Sequence, residues 1–204
     1  MAYRVAVLAS GAGTNLQALL DTVHGRDGVE IVAVASNRED AKALDRARAA
    51  DVETAVFPAG AHADRPARDA GIAAWLTARQ VDLVVLAGYM ELLDPAFLQA
   101  FEQRVINVHP ALLPAFPGLA AVEQALAYGV KVFGVTVHFV DAGIDTGAII
   151  LQGTLELPQA RTPDDVLPRL QALEHELLPR AVRLLAAGRV HPDPEHPHRV
   201  LVDE

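Results

Sequence analysis

Short apolar runs that do not alternate between polar and apolar residues most constrain the fold of this chain. They cover Arg4–Ala9, Glu30–Ala35, Glu53–Phe57, Asp82–Ala87 and Arg104–Val108, and a helical pattern follows each of the first four. A strand that is apolar on both sides must be covered on both sides, which is typical of a parallel sheet between helices. Right-handed crossovers then predict an α/β, Rossmann-like fold with a doubly wound, mostly parallel sheet.

Helical spacing of apolar residues fills the intervals between these runs. The predicted helices cover Thr14–Val23, Asp40–Ala50, Asp64–Gln80, Pro95–Phe101, Ala120–Tyr128 and a long segment from Thr162 or Pro163 to Ala187. Thr162 and Asp165 have the spacing of a capping box. Two β-rich segments, Lys131–Val140 and Ala148–Leu157, flank a loop at 141–147. We expect a single domain over residues 1–188, followed by a polar tail over 189–204.

Charge and cysteine content exclude several classes of protein. The net charge is −9, and nucleic-acid binding needs a basic face, so no nucleic-acid partner is expected. The chain has no cysteine, which excludes a disulfide scaffold, a thiol nucleophile and a thiolate metal site. No run approaches the ~20 apolar residues of a membrane span, and the first residues lack a signal-peptide pattern. We expect a cytoplasmic protein without a membrane partner, as a monomer or a homodimer.

A glycine-containing loop, Ser10-Gly-Ala-Gly-Thr-Asn15, lies between the first predicted strand and the first predicted helix. Glycines let backbone N–H groups approach an anion at a helix N-terminus, on the sheet edge where such folds bind ligands. The loop differs from the dinucleotide fingerprint, because Leu16 occupies the third glycine position and Ser36-Asn37 replaces an acidic residue. We interpret it as a phosphate or sugar-phosphate loop. A tight turn required only by packing is the alternative.

Two polar residues, Asn107 and His109, stand at the end of the fifth predicted strand. Alternation along a strand points both side chains to the same side. An amide donor beside an imidazole can stabilise an oxyanion and move a proton. Asp145, in the loop at 141–147, can orient His109 if the fold brings them together. A structural histidine and an ordinary turn aspartate are the alternatives.

The other histidines are predicted to have structural or solvent-exposed positions. His138 lies within a β-rich run and is interpreted as a core or pairing residue. His191, His196 and His198 lie in the tail and are interpreted as solvated side chains. We therefore predict no metal site.

Five segments, in a fixed order, resemble the phosphoribosylglycinamide formyltransferases, the folate-dependent transformylases of purine synthesis. The segments are Ser10–Gln17, Ala87–Met90, Asn107–Pro114, Gly134–Val140 and Asp145–Gly147, and the resemblance spans about residues 4 to 187. It implies transfer of a formyl group from 10-formyltetrahydrofolate, the co-substrate, to the amine of glycinamide ribonucleotide. Attack of an amine on a formyl carbon needs donors and a proton shuttle, and it needs no metal.

The resemblance also implies a role for each matching residue. Asn107 and His109 would contact the formyl oxygen, with His109 as the general acid, and Asp145 would support His109 and relay the proton of the amine. The ribonucleotide would contact Gly13, Thr14, Asn15, Gln171 and Glu174. The folate would contact Arg65, Met90, Glu91, Leu92, Leu93, Leu98, Val105, Asn107, Val140, Asp141, Ala142, Gly143, Ile144 and Asp145, with Arg68 as a rival to Arg65.

Three positions depart from the pattern of that family. Glu91 stands where a basic residue is usual, Ala120 where a histidine is usual, and Ala148 where a proline is usual. Folate tails are anionic, so the acidic Glu91 disfavours contacts to the tail at this position. Because the departures leave Asn107, His109 and Asp145 unchanged, they bear on affinity and not on the chemistry.

Other functions remain as alternatives. Formyltetrahydrofolate deformylase resembles the chain at the same Asn, His and Asp and hydrolyses the formyl group. Methionyl-tRNA formyltransferase shares these residues as well. Each carries an extra domain, for which we expect 204 residues to leave no room. A non-catalytic sugar-phosphate or folate-binding module is an alternative of a different class.

Overall fold

A computed structural model describes residues 2–196 and 198–203 of the chain. The strands are β1 (Tyr3–Leu8), β2 (Val29–Ser36), β3 (Glu53–Val56), β4 (Leu83–Leu86), β5 (Val105–His109), β6 (Val132–Phe139), β7 (Ile149–Glu156), β8 (Val190–Pro192) and β9 (Val200–Val202). The helices are α1 (Thr14–Thr22), α2 (Lys42–Ala49), α3 (Arg65–Ala78), α4 (Pro95–Ala100), α5 (Ala121–Tyr128) and α6 (Pro163–Ala186). Each predicted strand and helix is present.

The main sheet has seven strands in the order β3-β2-β1-β4-β5-β6-β7. β1 pairs in parallel with β2 and with β4, and β2 pairs in parallel with β3. β6 and β7 pair antiparallel. The predicted α/β class with a mostly parallel, Rossmann-like sheet is therefore confirmed.

The chain divides into two compact units, Met1–Ile106 and Asn107–Glu204. The prediction of a single domain over residues 1–188 stays a prediction.

In the first unit, β1 lies between β2 and β4, where the direction of the crossovers reverses. Val5, Ala6, Val7 and Leu8 are each fully buried, which explains the absence of alternation in this strand. Ligands of doubly wound folds bind outside the carboxyl ends of the strands at such a reversal. At this place Ser10 N donates to Gly88 O at 3.1 Å, and Met90 N donates to Ser10 Oγ at 2.9 Å. The segment after β4 is thus tied to the loop after β1.

Side-chain caps fix where two helices of this unit begin. The Asp64 carboxylate accepts from Ala67 N at 2.8 Å before α3, and the Asp94 carboxylate accepts from Ala96 N at 2.9 Å before α4. Each helix also has a proline in its first turn, where the missing N–H needs no partner.

In the second unit, the β6–β7 pair packs against the long helix α6. The helix begins with the predicted capping box, in which Thr162 N donates to Asp165 Oδ2 at 2.9 Å. Gly153, in β7, lies directly under α6. A Cβ at this position would lie 2.9 Å from both Leu173 Cδ1 and Leu177 Cδ1. A side chain at position 153 would therefore force these two leucine side chains of α6 to shift.

The polar tail has regular structure that the sequence analysis did not assign. β8 and β9 form an antiparallel pair, with Val190 opposite Val202 and Pro192 opposite Val200. β9 also contacts β7. Among the described residues, every helix is too short or too polar to cross a membrane.

Candidate functional site

The glycine loop precedes α1 in the first unit. Gly13 adopts a left-handed backbone, with φ of 69°, directly before α1. A Cβ there would lie 2.7 Å from both Cα and Cβ of Ala43. Gly13 is thus required by its conformation and by packing on α2. Thr14 and Asn15 open the first turn of α1, and Asn15 is buried.

A cation that the sequence analysis missed lies beside this loop. Arg46, on α2, donates from Nε to Ala12 O at 2.8 Å and from Nη1 to Gln17 Oε1 at 2.9 Å. Arg46 is remote in sequence from the glycines, and only the packing of α2 on α1 brings it here. The loop thus combines a helix N-terminus with a positive charge, an arrangement that suits an anion.

The predicted folate residues of the first unit differ in their exposure. Met90 and Leu92 are 67% and 58% exposed, which is unusual for apolar side chains beside a core strand. Leu93 and Val105 are buried, and Leu98 is half-buried. Arg65 is exposed at the first position of α3.

Arg68, the rival to Arg65, is the centre of a buried ion-pair network. Its side chain is 2% exposed and lies 2.8 Å from Asp69 Oδ1 and 3.0 Å from Glu91 Oε2. We call Arg68, Asp69, Glu91 and Asn37 the Arg68 cluster, because Asn37 Nδ2 donates to Glu91 Oε1 at 3.1 Å. Burial disfavours the charged guanidinium, but hydrogen bonds to both carboxylates outweigh it and raise the pKa of Arg68.

The Arg68 cluster holds the segment that follows β4. Arg68 Nη2 donates to Leu92 O at 3.3 Å, and Asp94 N donates to Asp69 Oδ2 at 2.7 Å. One guanidinium faces two carboxylates, so the cluster carries no spare positive charge. Arg68 therefore lacks the free cation that the rival role requires, and Arg65 remains the exposed arginine of this segment.

In the second unit, the structure brings Asp145 to His109. His109 is 5% exposed, and its Nδ1 lies 3.3 Å from Asp145 Oδ2. The other ring nitrogen, Nε2, lies 2.8 Å from Phe116 O. Both ring nitrogens of His109 therefore face oxygen atoms. Asp145 is held in turn by Gly118 N, which donates to Oδ2 at 2.7 Å.

Asn107 reaches the same group of side chains through His138. Asn107 Nδ2 lies 3.3 Å from His138 Nε2, which is 3.6 Å from Asp145 Oδ1. His138 Nδ1 lies 2.8 Å from Phe139 O, so this nitrogen carries the proton and Nε2 is free to accept from Asn107. Burial lowers the pKa of His138, which favours this neutral form. We call Asn107, His109, His138 and Asp145 the His109 cluster.

His138, which the sequence analysis interpreted as a core or pairing residue, is a candidate site residue. It is buried, as predicted, at 1% exposed, but it also contacts two of the three predicted catalytic residues. The available signal was polarity, because Thr136 and His138 are polar side chains on one side of a strand that is otherwise apolar and buried.

The loop that carries Asp145 has a defined turn. Asp141 Oδ1 accepts from Gly143 N at 3.0 Å and from Thr146 Oγ1 at 2.7 Å. Asp145 itself has a φ of 53°, in the left-handed region that aspartate tolerates better than most residues. Asp141, Ala142, Gly143 and Ile144 are exposed, and Val140 is half-buried. The loop thus presents its backbone beside the carboxylate.

A mainly apolar cavity of about 390 Å³ adjoins this loop. It is lined by Leu113, Pro114, Pro117, Ile144, Asp145, Thr146, Gly147, Ile149 and His198. His198 Nδ1 lies 3.1 Å from Thr146 O, so this tail histidine, predicted to be solvated, is exposed but also contacts the loop. No local pattern predicts this contact, because 52 residues separate the two partners.

The remaining predicted ribonucleotide residues lie on α6. Gln171 is exposed and Glu174 is half-buried, one helical turn apart on the same face. Within residues 2–196 and 198–203, no group of three histidine or acidic side chains is arranged to hold a metal ion.

Comparison with known protein families identifies one that matches most of this chain. A family model described as formyl transferase matches residues 3–182. Phosphoribosylglycinamide formyltransferase of Mycobacterium tuberculosis is 45% identical over 187 residues, which cover 92% of this chain and 86% of that protein. The trifunctional purine biosynthetic protein adenosine-3 of Drosophila melanogaster is 42% identical over 195 residues, but this chain spans 14% of its length.

Solved structures agree with these relatives. Glycinamide ribonucleotide transformylase 1 from Symbiobacterium toebii superposes with a TM-score of 0.95 at 47% identity, covering 100% of this chain and 95% of that one. A formyltetrahydrofolate deformylase from Pseudomonas syringae superposes with a TM-score of 0.90 at 27% identity, and this chain covers 67% of it. The chain belongs to the formyl transferase family, and its more similar relatives there are phosphoribosylglycinamide formyltransferases.

Proposed function

We propose that this chain transfers the formyl group of 10-formyltetrahydrofolate to the amine of N1-(5-phosphoribosyl)glycinamide, a step of purine synthesis. The observation that carries the proposal is the contact of His109 Nδ1 with Asp145 Oδ2 at 3.3 Å, in a cluster that also contains Asn107. An amide donor, an imidazole and a carboxylate are the groups that formyl transfer to an amine requires. Membership of the formyl transferase family supports the same assignment.

The reaction needs no group that the His109 cluster lacks. The amine nitrogen attacks the formyl carbon, an oxyanion forms, and the bond from that carbon to the folate nitrogen then breaks. Asn107 and His109 donate to the oxyanion. His109 Nε2 now donates to Phe116 O at 2.8 Å, and exchange of this acceptor for the stronger oxyanion favours the transition state.

Asp145 completes the proton balance of the reaction. The amine must lose a proton and the departing folate nitrogen must gain one. Asp145 faces the imidazole through Oδ2, so it stabilises the protonated ring and can accept the proton of the amine. The protonated His109, as the general acid, supplies the proton that the departing folate nitrogen gains, and Asp145 then returns a proton to the ring. His138 acts as a positioning residue, because its neutral Nε2 accepts from Asn107 and fixes the orientation of that amide.

Binding roles follow from the local geometry of each unit. The Gly13–Asn15 helix start beside Arg46 suits the phosphate of the ribonucleotide, and Gln171 with Glu174 suits its ribose and glycinamide part. Met90, Leu92 and the backbone of the loop at 140–145 suit the folate. No metal is required for any of these roles.

The test is a transformylase assay with both substrates and no added metal. We expect formyl transfer to the ribonucleotide, measured as folate product and formylated amine in equal amounts. Asp145→Asn should lower kcat while ribonucleotide affinity, measured by calorimetry, is largely retained. Asp164→Asn is the matched control, because Asp164 is exposed in the first turn of α6 and has no proposed contact with either substrate.

Two outcomes would replace the proposal. Release of formate at a rate independent of the amine would identify a deformylase, which the 27% identical structure keeps as the second candidate. Ribonucleotide binding without turnover would identify a non-catalytic binding module.

We also propose where and in what form the chain acts. The reaction takes place in the cytoplasm, and the chain acts as a monomer or a homodimer without a nucleic-acid or membrane partner. Light scattering at enzyme concentrations used in the assay measures the oligomeric state.

A further inference from the structure

A buried hydroxyl on β6 holds the backbone that follows His109. Thr136 is 0% exposed, and its Oγ1 donates to Ala111 O at 2.7 Å. The same oxygen accepts from Leu113 N at 3.1 Å. A threonine hydroxyl has one proton and two lone pairs, so these two contacts use most of its capacity.

Gln152 adds the remaining contacts from the neighbouring strand. It stands directly opposite Thr136 in the β6–β7 register. Its Nε2 donates to Leu113 O at 2.9 Å and to Thr136 Oγ1 at 3.0 Å. Both backbone polar groups of Leu113 are therefore held by side chains, and the threonine hydroxyl is fully used.

Gly134 contacts the side chain of Leu112, which lies between Ala111 and Leu113. A Cβ on Gly134 would lie 2.7 Å from Leu112 Cγ, so Leu112 sits directly on the glycine. Three consecutive loop residues, Ala111, Leu112 and Leu113, are thus held by β6 and β7. We call Gly134, Thr136 and Gln152 the loop cradle.

The loop that the cradle holds has two connections to His109. β5 ends at His109, two residues before Ala111, and Phe116 O farther along the loop lies 2.8 Å from His109 Nε2. A shift of Ala111–Leu113 therefore moves both the backbone of His109 and the acceptor on its ring. Catalytic geometry is sensitive to displacements of this kind.

We propose that Thr136 and Gln152 are positioning residues that set the imidazole of His109 by holding the backbone of Ala111–Leu113. The inference rests on the proposed function for its kinetic readout. A merely structural role for Thr136 predicts that its loss lowers stability alone. A positioning role predicts a change in kcat for the fully folded protein as well.

The experiment compares Thr136→Val with Thr136→Ser. Valine has the shape of threonine but lacks the hydroxyl, while serine keeps it. We expect Thr136→Val to lower kcat by roughly tenfold to a hundredfold, with the KM of both substrates nearly unchanged, because a small displacement of a catalytic group costs this much. Thr136→Ser should restore kcat to near the wild-type value.

A second pair of variants covers the case in which Thr136→Val does not fold. Gln152 is exposed, so Gln152→Leu should fold, and it removes the two donated hydrogen bonds. Thr154→Val is the matched control, since Thr154 is exposed on the same face of β7 two residues away. We expect a lower kcat for Gln152→Leu and wild-type kcat for Thr154→Val.

A readout without turnover separates this inference from the proposed function. Hydrogen exchange of the Leu113 amide, and the NMR titration of the His109 ring, should change in Thr136→Val and Gln152→Leu and should stay unchanged in Thr154→Val. These readouts apply even if the wild-type chain transfers no formyl group, which would refute the proposed function alone. Unchanged exchange and titration in both cradle variants, or wild-type kcat in a folded Thr136→Val, would overturn the inference.

Discussion

The Arg68 cluster and the His109 cluster are both buried and polar, but they differ in how completely their charges are paired. Arg68 contacts carboxylate oxygens at 2.8 and 3.0 Å, and further hydrogen bonds reach Asp69 and Glu91. In the His109 cluster the ring nitrogens lie 3.3 and 3.6 Å from the two oxygens of Asp145. The ion pairs of Arg68 are therefore shorter than the contacts between the two histidine rings and Asp145.

The pairing of charges limits what each cluster can do. A saturated ion-pair network resists rearrangement, because moving Arg68 or Asp69 leaves an unpaired buried charge. Groups at longer distances can exchange one acceptor for another and can gain or lose a proton at lower cost. We therefore expect substitutions in the Arg68 cluster to affect stability, and substitutions in the His109 cluster to affect turnover.

His109→Gln should have the largest effect. Glutamine occupies similar space but cannot act as a general acid, so kcat should fall by about 10²- to 10⁴-fold. Steady-state kinetics with both substrates measures it, and urea unfolding serves as the control for folding. Turnover near that of the wild type would refute the role of His109 as the general acid. It would also refute the functional difference between the two clusters.

Arg68→Met should have the largest effect on stability. It leaves Asp69, which is fully buried, without its cation, and loss of one partner of a buried pair costs about 3–5 kcal/mol. Urea unfolding at pH 7 measures the change in the free energy of unfolding. Arg65→Met is the matched control, because Arg65 is exposed three residues away. Equal stability of the two variants would contradict the structural role of the cluster.

Glu91→Gln should have a smaller effect within the same network. The Glu91 side chain is 33% exposed, so solvent screens its ion pair with Arg68, and the loss should stay below about 1 kcal/mol. Asp69 still pairs with Arg68, and the glutamine oxygen can still accept from Asn37. A large rise in the KM for the folate at unchanged stability would instead indicate direct contact of Glu91 with the co-substrate.

The effect of His138 on pH dependence should be the smallest. Burial lowers the pKa of His138 below its ordinary value of 6.5, so the unfolded chain binds the proton first as the pH falls. Stability should therefore decline below about pH 6.5, with a contribution no steeper than about 1.4 kcal/mol per pH unit. His138→Gln should show a shallower decline in urea midpoints between pH 7 and 5. A parallel decline in both proteins would exclude His138 as its source.

Sequence reasoning predicted the order of strands and helices because the signals are local. The unbroken apolar run of β1 and the capping box of α6 depend on residues within a few positions of each other. The left-handed start of α1 at Gly13 was accessible in the same way. Two short strands, β8 and β9, were missed because each has only three residues and the surrounding composition is polar.

Most of the candidate site could be named from the sequence, but its geometry could not. Asn107, His109 and Asp145 were singled out by residue type and resemblance. Their meeting depends on a contact between residues 36 positions apart, His109 and Asp145, which no local pattern contains. The partnership of Arg68 with Glu91 and the presence of Arg46 beside Ala12 have the same origin.

The fold class, the order of the elements and the types of side chain available for chemistry follow from the amino-acid sequence, because hydrophobic periodicity and capping act over short distances. Which charges are paired, and which groups remain open to a substrate, depends on the tertiary structure. That choice depends on burial and on distances of a few ångströms between remote segments. Arg68 and His109 illustrate it, since both are buried charged or titratable residues and only their neighbours separate a structural role from a proposed catalytic one.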